Sequence, residues 1–143
     1  MCFVILRDEE LAKDAVQDTF LKAYKNIAVF RGECSEKTWL MRIAINTCRD
    51  VKRSAWFRLL DRRVTPEDLP TPIAQTSEKA VELTVEIMKL PPKLKEVIIL
   101  YYYQQMTTRE IADVLNIPQS TVTTRLKRAK EKLRFLLEGG NEQ

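Results

Sequence analysis

The chain has 143 residues, of which 45% are hydrophobic, and a formal net charge of +4, a composition that fits one medium-sized or two small folded domains. It has no histidine, which excludes imidazole as a general base or metal ligand and removes most catalytic triads. With only three glycines and three widely spaced cysteines, we expect no phosphate-binding glycine loop, disulfide framework, metal site or cofactor.

The N-terminal apolar run, Cys2 to Leu6, lacks a basic leading segment. It is also too short for the core of a signal peptide or for a membrane span. We therefore expect a cytoplasmic protein without membrane insertion of its own.

Two amphipathic helices are predicted in the N-terminal third. The first runs from about Asp8, its N-cap, to Ile27, and the second from the cap Ser35 to about Arg53. The predicted buried stripes are Leu11, Ala15, Val16, Phe20, Ala23, Tyr24 and Ile27 on the first helix, and Trp39, Leu40, Ile43, Ala44 and Val51 on the second.

Prolines interrupt the helical pattern between residues 56 and 77 at Pro66, Pro70 and Pro72. We interpret this stretch as a flexible linker. It would separate a domain of residues 1–55 from a domain of residues 78–143. No segment alternates with the period of a β-strand, so the predicted fold is all-α, with two small helical domains.

The C-terminal domain contains the pattern of a helix-turn-helix. The helical spacing of apolar residues resumes at Ala80, stops at Pro91 and Pro92, and begins again at Leu94. Thr107 or Thr108 is then expected to cap a short helix to Leu115, and Asn116 suits a turn because asparagine tolerates positive φ. A last helix follows Pro118 and runs to about Leu137.

The last helix is predicted to have one apolar and one basic face. At about 100° per residue, Val122, Leu126, Ala129 and Leu133 fall together, and Ser120, Thr124, Lys127 and Arg128 lie opposite. Residues 125–134 hold six cations and one acid, a net +5 that exceeds the charge of the whole chain. Small hydroxyls followed by cations are typical of a helix that reads a DNA groove, although a solvated basic face remains an alternative.

In the N-terminal domain the residues alone leave the interpretation open. Asp14, Gln17, Asp18, Lys22 and Lys25 lie on the polar side of the first helix, where an ordinary solvated face is the simpler reading. Trp39 and Phe30 are more often core residues than ligand contacts. The cations that surround Trp39 in the sequence nevertheless suit single-stranded nucleic acid, whose bases stack while its phosphates pair with positive charge.

Three segments in order resemble the extracytoplasmic-function sigma factors of bacterial RNA polymerase. DAVQDTFLKAY at 14–24 is similar to region 2.2 of that family, and FRGECSEKTWLMRIAINTCRD at 30–50 to regions 2.3 and 2.4. LPPKLKEVIILYYYQQMTTREIADVLNIPQSTVTTRLKRAKEKL is similar to region 4. The resemblance covers nearly the whole chain and implies a promoter-specificity subunit with no catalysis of its own.

The resemblance also implies partners and site residues. The partners would be core RNA polymerase, promoter DNA and an anti-sigma factor. Core polymerase would be bound through Asp14, Gln17, Asp18 and Lys22, and the flap of polymerase partly through the helix from Lys93 to Tyr103. The minus-10 element would be bound by Phe30, Arg31, Ser35, Trp39, Arg42 and Asn46. The minus-35 duplex would be bound by Ser120, Thr121, Thr123, Thr124, Arg125, Lys127 and Arg128.

Two further expectations concern apolar surface. The resemblance implies more helix before the position of Phe3, and a shortened first helix could expose Phe3, Ile5 and Leu6. Tyr101, Tyr102 and Tyr103 cannot all be buried by one helix in a small domain, and they are candidate contacts for an anti-sigma factor between the domains.

Two other functions were weighed. A stand-alone helix-turn-helix regulator would carry a sensing or dimerisation domain in place of residues 14–50. A carboxylate-dependent nuclease using Asp14 and Asp18 would need more clustered acids with metal-binding geometry.

Overall fold

The computed structural model describes residues 1–54 and 77–138, and within these ranges it contains no β-strand. The helices in chain order are α1 (Cys2–Leu6), α2 (Glu9–Asn26), α3 (Glu36–Ser54), α4 (Glu78–Met88), α5 (Pro92–Ile98), α6 (Thr108–Leu115) and α7 (Gln119–Leu137). A 3-10 turn, Ile27–Val29, follows α2, and a π-helical turn, Ile99–Tyr103, extends α5. The all-α fold class is confirmed. The predicted linker lies outside the described residues, apart from Ser77, which caps α4.

The predicted caps form as expected. The side chain of Asp8 accepts a hydrogen bond from the backbone N–H of Leu11 at 3.0 Å, and Ser35 accepts one from Thr38 at 3.1 Å. Thr107 and Glu110 form a reciprocal capping box, whose hydrogen bonds lower the pKa of the Glu110 carboxyl. Asn116 ends α6 in the left-handed region with φ of 56°. These bonds set the turn of the helix-turn-helix.

The described parts of the two domains share one hydrophobic core, and α1 lies within it. All five residues of α1 are buried, because α2 and α3 pack on one side of it and α4 and α5 on the other. The expectation that Phe3, Ile5 and Leu6 are exposed is therefore wrong. Contact with the C-terminal domain removes their surface from water, which favours this packing.

The buried face of α2 differs from the predicted stripe. Ala12, Ala15 and Thr19 face α1 and α3, and such small side chains let helices pack closely. The larger apolar residues turn outward instead, so the predicted burial of Val16, Phe20, Tyr24 and Ile27 is wrong. Their exposed fractions are 44%, 58%, 80% and 62%. Leu21 and Val29 are also exposed, which leaves an unpartnered apolar stripe on α2.

The capping box gives a stability prediction. Thr107→Ala removes the acceptor of the Glu110 N–H at the start of α6 and should lower the free energy of unfolding by about 1 kcal/mol. Thr123→Ala is the matched control, because the exposed Thr123 hydroxyl bonds only to the Gln119 carbonyl of its own helix. The control should change stability by less than about 0.5 kcal/mol in urea denaturation. Equal losses in the two variants would contradict the role assigned to the cap.

Candidate nucleic-acid interfaces

Helix α7 presents the two faces predicted for it. Its buried side consists of Val122, Leu126, Ala129 and Leu133, which pack against α5 and α6. The opposite side is exposed and carries hydroxyls in its first turns and cations after them. Of the seven residues predicted to face duplex DNA, Ser120, Thr123, Thr124, Lys127 and Arg128 are exposed, and Thr121 and Arg125 are half-buried.

The exposed face of α7 borders an open groove with a volume of about 610 Å³. Pro91, Lys93 and Leu94, at the start of α5, form its other wall, and Lys132 extends its basic edge. Sequence reasoning missed Lys93 and Lys132 as parts of this surface. The +5 charge of residues 125–134 could have pointed to Lys132, whereas Lys93 reaches the groove only through the packing of α5 on α7.

A second cavity, of about 390 Å³, opens beside the start of α3. The rings of Phe30 and Trp39 lie 4.8 Å apart between centroids with an interplanar angle of 31°, and Arg31 and Arg42 line the same cavity. Two acids, Glu33 and Asp113, line it as well, so the aromatic faces with the neighbouring arginines are the features that suit an unstacked base. The structure thus brings together four of the six residues predicted for the minus-10 element.

The other two residues of that set lie outside the cavity lining. Ser35 uses its hydroxyl to cap α3, and it also bonds to the hydroxyl of Thr38 at 2.9 Å. Asn46 is exposed further along α3. Ser35 therefore positions the first turn of α3, which carries Trp39 and precedes the turn that carries Arg42.

The polar face of α2 lies next to its apolar stripe. Asp14, Gln17 and Asp18 are exposed, and Gln17 lies only about 20° around the helix axis from Tyr24. Lys22 is half-buried and bridges to α3. Its ammonium donates to the Thr47 hydroxyl at 3.2 Å and pairs with Asp18 at 3.7 Å and with Asp50 at 3.9 Å. A polar edge beside an exposed apolar stripe is a typical protein-binding surface.

Helix α3 packs directly on the helix-turn-helix. The guanidinium of Arg42 donates to the Asp113 carbonyl of α6 at 2.9 and 3.3 Å, and the ammonium of Lys37 donates to the Gln104 carbonyl. Arg49 forms two hydrogen bonds, of 2.6 and 2.9 Å, with the carboxylate of Glu96 on α5. This carboxylate raises the pKa of Arg49. Arg42 thus belongs both to the cavity beside the start of α3 and to the contact between the domains.

Within residues 1–54 and 77–138, no group of three or more carboxylates or thiols is arranged to hold a metal ion. Cys2, Cys34 and Cys48 are free thiols. None of the described helices is both long and apolar enough to cross a bilayer.

Comparisons with known proteins identify the family. Residues 1–58 match the model of sigma-70 region 2, and residues 80–133 match that of sigma-70 region 4. The chain is 32% identical to the ECF RNA polymerase sigma factor SigW of Bacillus subtilis, with 94% of this chain and 79% of that protein covered. It is 37% identical to the RNA polymerase sigma factor YlaC of the same organism, with coverages of 94% and 82%.

The fold has a counterpart among solved structures. The sigma factor RpoE, in its complex with the anti-sigma factor NepR from Bartonella quintana, superposes with a TM-score of 0.78. The superposition covers 96% of this chain and 88% of RpoE at 22% identity. On the sequence matches to both sigma-70 regions and to relatives over most of their length, this chain is a member of the extracytoplasmic-function family of RNA polymerase sigma factors.

Proposed function

We propose that this sigma factor acts in the cytoplasm by joining core RNA polymerase through α2 and reading a two-part promoter with the two cavities described above. The observation that carries the proposal is the exposed face of α7, where hydroxyls precede cations opposite a fully packed stripe. It is a promoter-specificity subunit and not an enzyme. We assign residues 1–55 and 78–143 to its two binding domains and residues 56–77 to the linker between them.

For the minus-35 element, we propose that α7 enters the major groove of duplex DNA. Ser120, Thr123 and Thr124 are short and exposed in the first turns of the helix, so they can approach base edges closely. Lys127 and Arg128 follow one turn later, where they can contact phosphates. Thr121 and Arg125 line the protein groove between α5 and α7, and they complete the proposed site.

For the minus-10 element, we propose that a base of the unpaired strand stacks in the cavity of Phe30 and Trp39. An extruded base exposes a ring face and an edge that are hidden in a duplex. Arg31 and Arg42 supply positive charge beside these rings. Ser35 and Asn46 belong to the proposed site through α3, Ser35 by fixing its first turn and Asn46 by its exposed position along the helix.

For core polymerase, we propose the polar face of α2 together with its apolar stripe. Asp14, Gln17 and Asp18 form the polar edge, and Lys22 fixes Asp18 through their ion pair. Phe20 and Tyr24 add exposed apolar surface that a partner can bury. An anti-sigma factor that covers this face would block recruitment of polymerase.

The minus-35 assignment is tested with holoenzyme and promoter fragments that it selects from a randomised duplex library. Lys127→Ala should weaken all sequences alike and reduce the slope of log affinity against log salt by about one unit, because one phosphate contact is lost. Thr124→Val should instead change the preferred base at one position with little change in the salt slope. If both variants act identically on matched and mismatched fragments, α7 does not lie in the groove in this orientation.

A further inference from the structure

A third cavity, of about 400 Å³, lies at the junction of the two domains, and two of its lining residues, Lys93 and Arg125, also line the groove beside α7. Ile5 of α1 and part of α3 form one side, and α5, α7 and the turn after α6 form the other. We call it the junction cavity. Its charged lining residues are the cations Arg49, Lys52, Lys93, Lys95 and Arg125 and the single carboxylate Glu96.

The one carboxylate of the junction cavity is already engaged. Glu96 forms its two short hydrogen bonds with Arg49, and its side chain is only 8% exposed. In the part of the chain that the structure describes, no carboxylate lies within ion-pair distance of Lys52, Lys93, Lys95 or Arg125. Among the described residues, these four cations thus share a partly enclosed space whose one carboxylate is bound to Arg49.

Lys95 is the most unusual of these four cations, because it is buried. Its ammonium donates to the carbonyls of Ile5 at 3.3 Å and Met88 at 3.4 Å, and both distances are long for a charged donor. Burial and then the neighbouring positive charges of Lys52 and Arg7 lower the pKa of Lys95 to about 7, against an opposing effect of the Glu96 carboxylate. Burial also lowers the pKa of Lys52. Burial at the cavity thus disfavours the positive charges of Lys52 and Lys95.

We propose that the junction cavity binds a small anion with two or more linked phosphate groups, which bridges α3 to α5 and α7. The cations that line the cavity come from three separate helices, α3, α5 and α7. A ligand with two or more negative charges can contact cations from more than one of them. Lysine ammonium groups are common phosphate ligands, and a volume near 400 Å³ lies within the range of ligand pockets. Since both domains contribute cations, the ligand would stabilise their packed arrangement.

Calorimetric titration of the full chain tests this proposal with two probes, sodium pyrophosphate and ATP. Both are used without metal ions and at constant ionic strength, because added salt alone screens exposed charges. We expect saturable binding at one site. ATP binding more tightly than pyrophosphate would identify a nucleotide ligand, and equal affinity would identify the linked phosphates as the recognised group; both results support the proposal.

Matched methionine variants locate the site. Lys52→Met and Lys93→Met should each weaken pyrophosphate binding by about tenfold or more, as expected for loss of one charge-assisted contact. Lys79→Met is the control, because Lys79 is exposed on α4 away from the cavity. Lys79→Met should change the affinity for pyrophosphate by less than about twofold, because a single exposed charge contributes little.

Lys95→Met separates binding from folding. Without ligand, this variant should melt at a higher temperature than the parent chain, since an unpaired buried charge is removed. Pyrophosphate should raise the melting temperature of the parent and fail to raise that of Lys95→Met. Absence of pyrophosphate and ATP binding by the parent would overturn the proposal. A second result would also overturn it: Lys52→Met binds promoter DNA more weakly but binds pyrophosphate as well as the parent does. Lys52 would then contact DNA phosphates instead of a ligand in the cavity.

Discussion

Reversing the charge of Asp18 should weaken binding of the chain to core RNA polymerase by about a hundredfold, because like charges placed together at an interface cost several kcal/mol. Asp18 is exposed and lies on the polar edge of α2. Its ion pair with Lys22, at 3.7 Å between partly exposed side chains, contributes little to stability. Asp18→Arg should therefore fold normally and lose the partner.

Glu82→Arg is the matched control for this experiment. It makes the same charge reversal at an exposed acid, but on α4 and outside the proposed polymerase-binding face. Competition for core polymerase against the parent chain should show a large loss for Asp18→Arg and a change of less than about threefold for Glu82→Arg. Parent-like competition by Asp18→Arg would remove α2 from the interface, while equal losses in both variants would indicate a general effect of net charge.

Local chemistry explains why the helix boundaries were predictable. A cap needs only an acceptor side chain and an N–H three residues later, so Asp8, Ser35 and Thr107 could be recognised without knowledge of the fold. Asn116 adopts positive φ for an equally local reason, since its short polar side chain tolerates that conformation. The recognition helix α7 was predictable because its apolar stripe and its charged face are clearly separated.

The orientation of α2 could not be predicted in the same way. Apolar residues occupy more than half of its circumference, so periodicity identifies a helix without deciding which side faces the core. The structure buries Ala12, Ala15 and Thr19 because small residues permit close packing on α1 and α3. The outward stripe that results, with Phe20 and Tyr24, is exposed apolar surface that the sequence interpretation assigned to the core.

Contacts between the domains also could not be predicted from the sequence. Arg42 and Asp113 are 71 positions apart, and Arg49 and Glu96 are 47 apart, separations at which no periodicity connects two residues. The burial of α1 has the same origin, since α4 and α5 cover it from the other domain. Sequence patterns thus predicted each proposed promoter-binding surface separately, and the packing of α3 on α6 joins the cavity of Phe30 and Trp39 to the helix-turn-helix.

A second contact between the domains, the pair between Arg49 and Glu96, joins α3 to α5. Removing one partner of a fully buried ion pair costs about 3–5 kcal/mol, because the remaining charge is left without compensation. The side chain of Glu96 is 8% exposed but that of Arg49 is 42% exposed, so water screens part of the pair. We therefore expect Arg49→Met to lower the free energy of unfolding by about 2 kcal/mol, measured by urea denaturation.

Two matched variants show whether the loss comes from the unpaired carboxylate. Arg53→Met removes an arginine one turn later, whose pair with Asp50 is 76% and 60% exposed, and should cost less than about 1 kcal/mol. Arg49→Met combined with Glu96→Leu should be more stable than Arg49→Met alone, since no buried charge remains. Equal losses for Arg49→Met and Arg53→Met would contradict this account.

The same variants report on the arrangement of the domains. A packed chain of this length has a radius of gyration of about 15 Å, and solution scattering should show this value for the parent. Arg49→Met should expand the particle, because the unpaired Glu96 is most easily hydrated if α3 and α5 separate. The double variant should return toward the parent value. Expansion in the single variant with recovery in the double variant would show that the pair between Arg49 and Glu96 contributes to holding α3 on α5, and an unchanged radius in the single variant would contradict this role.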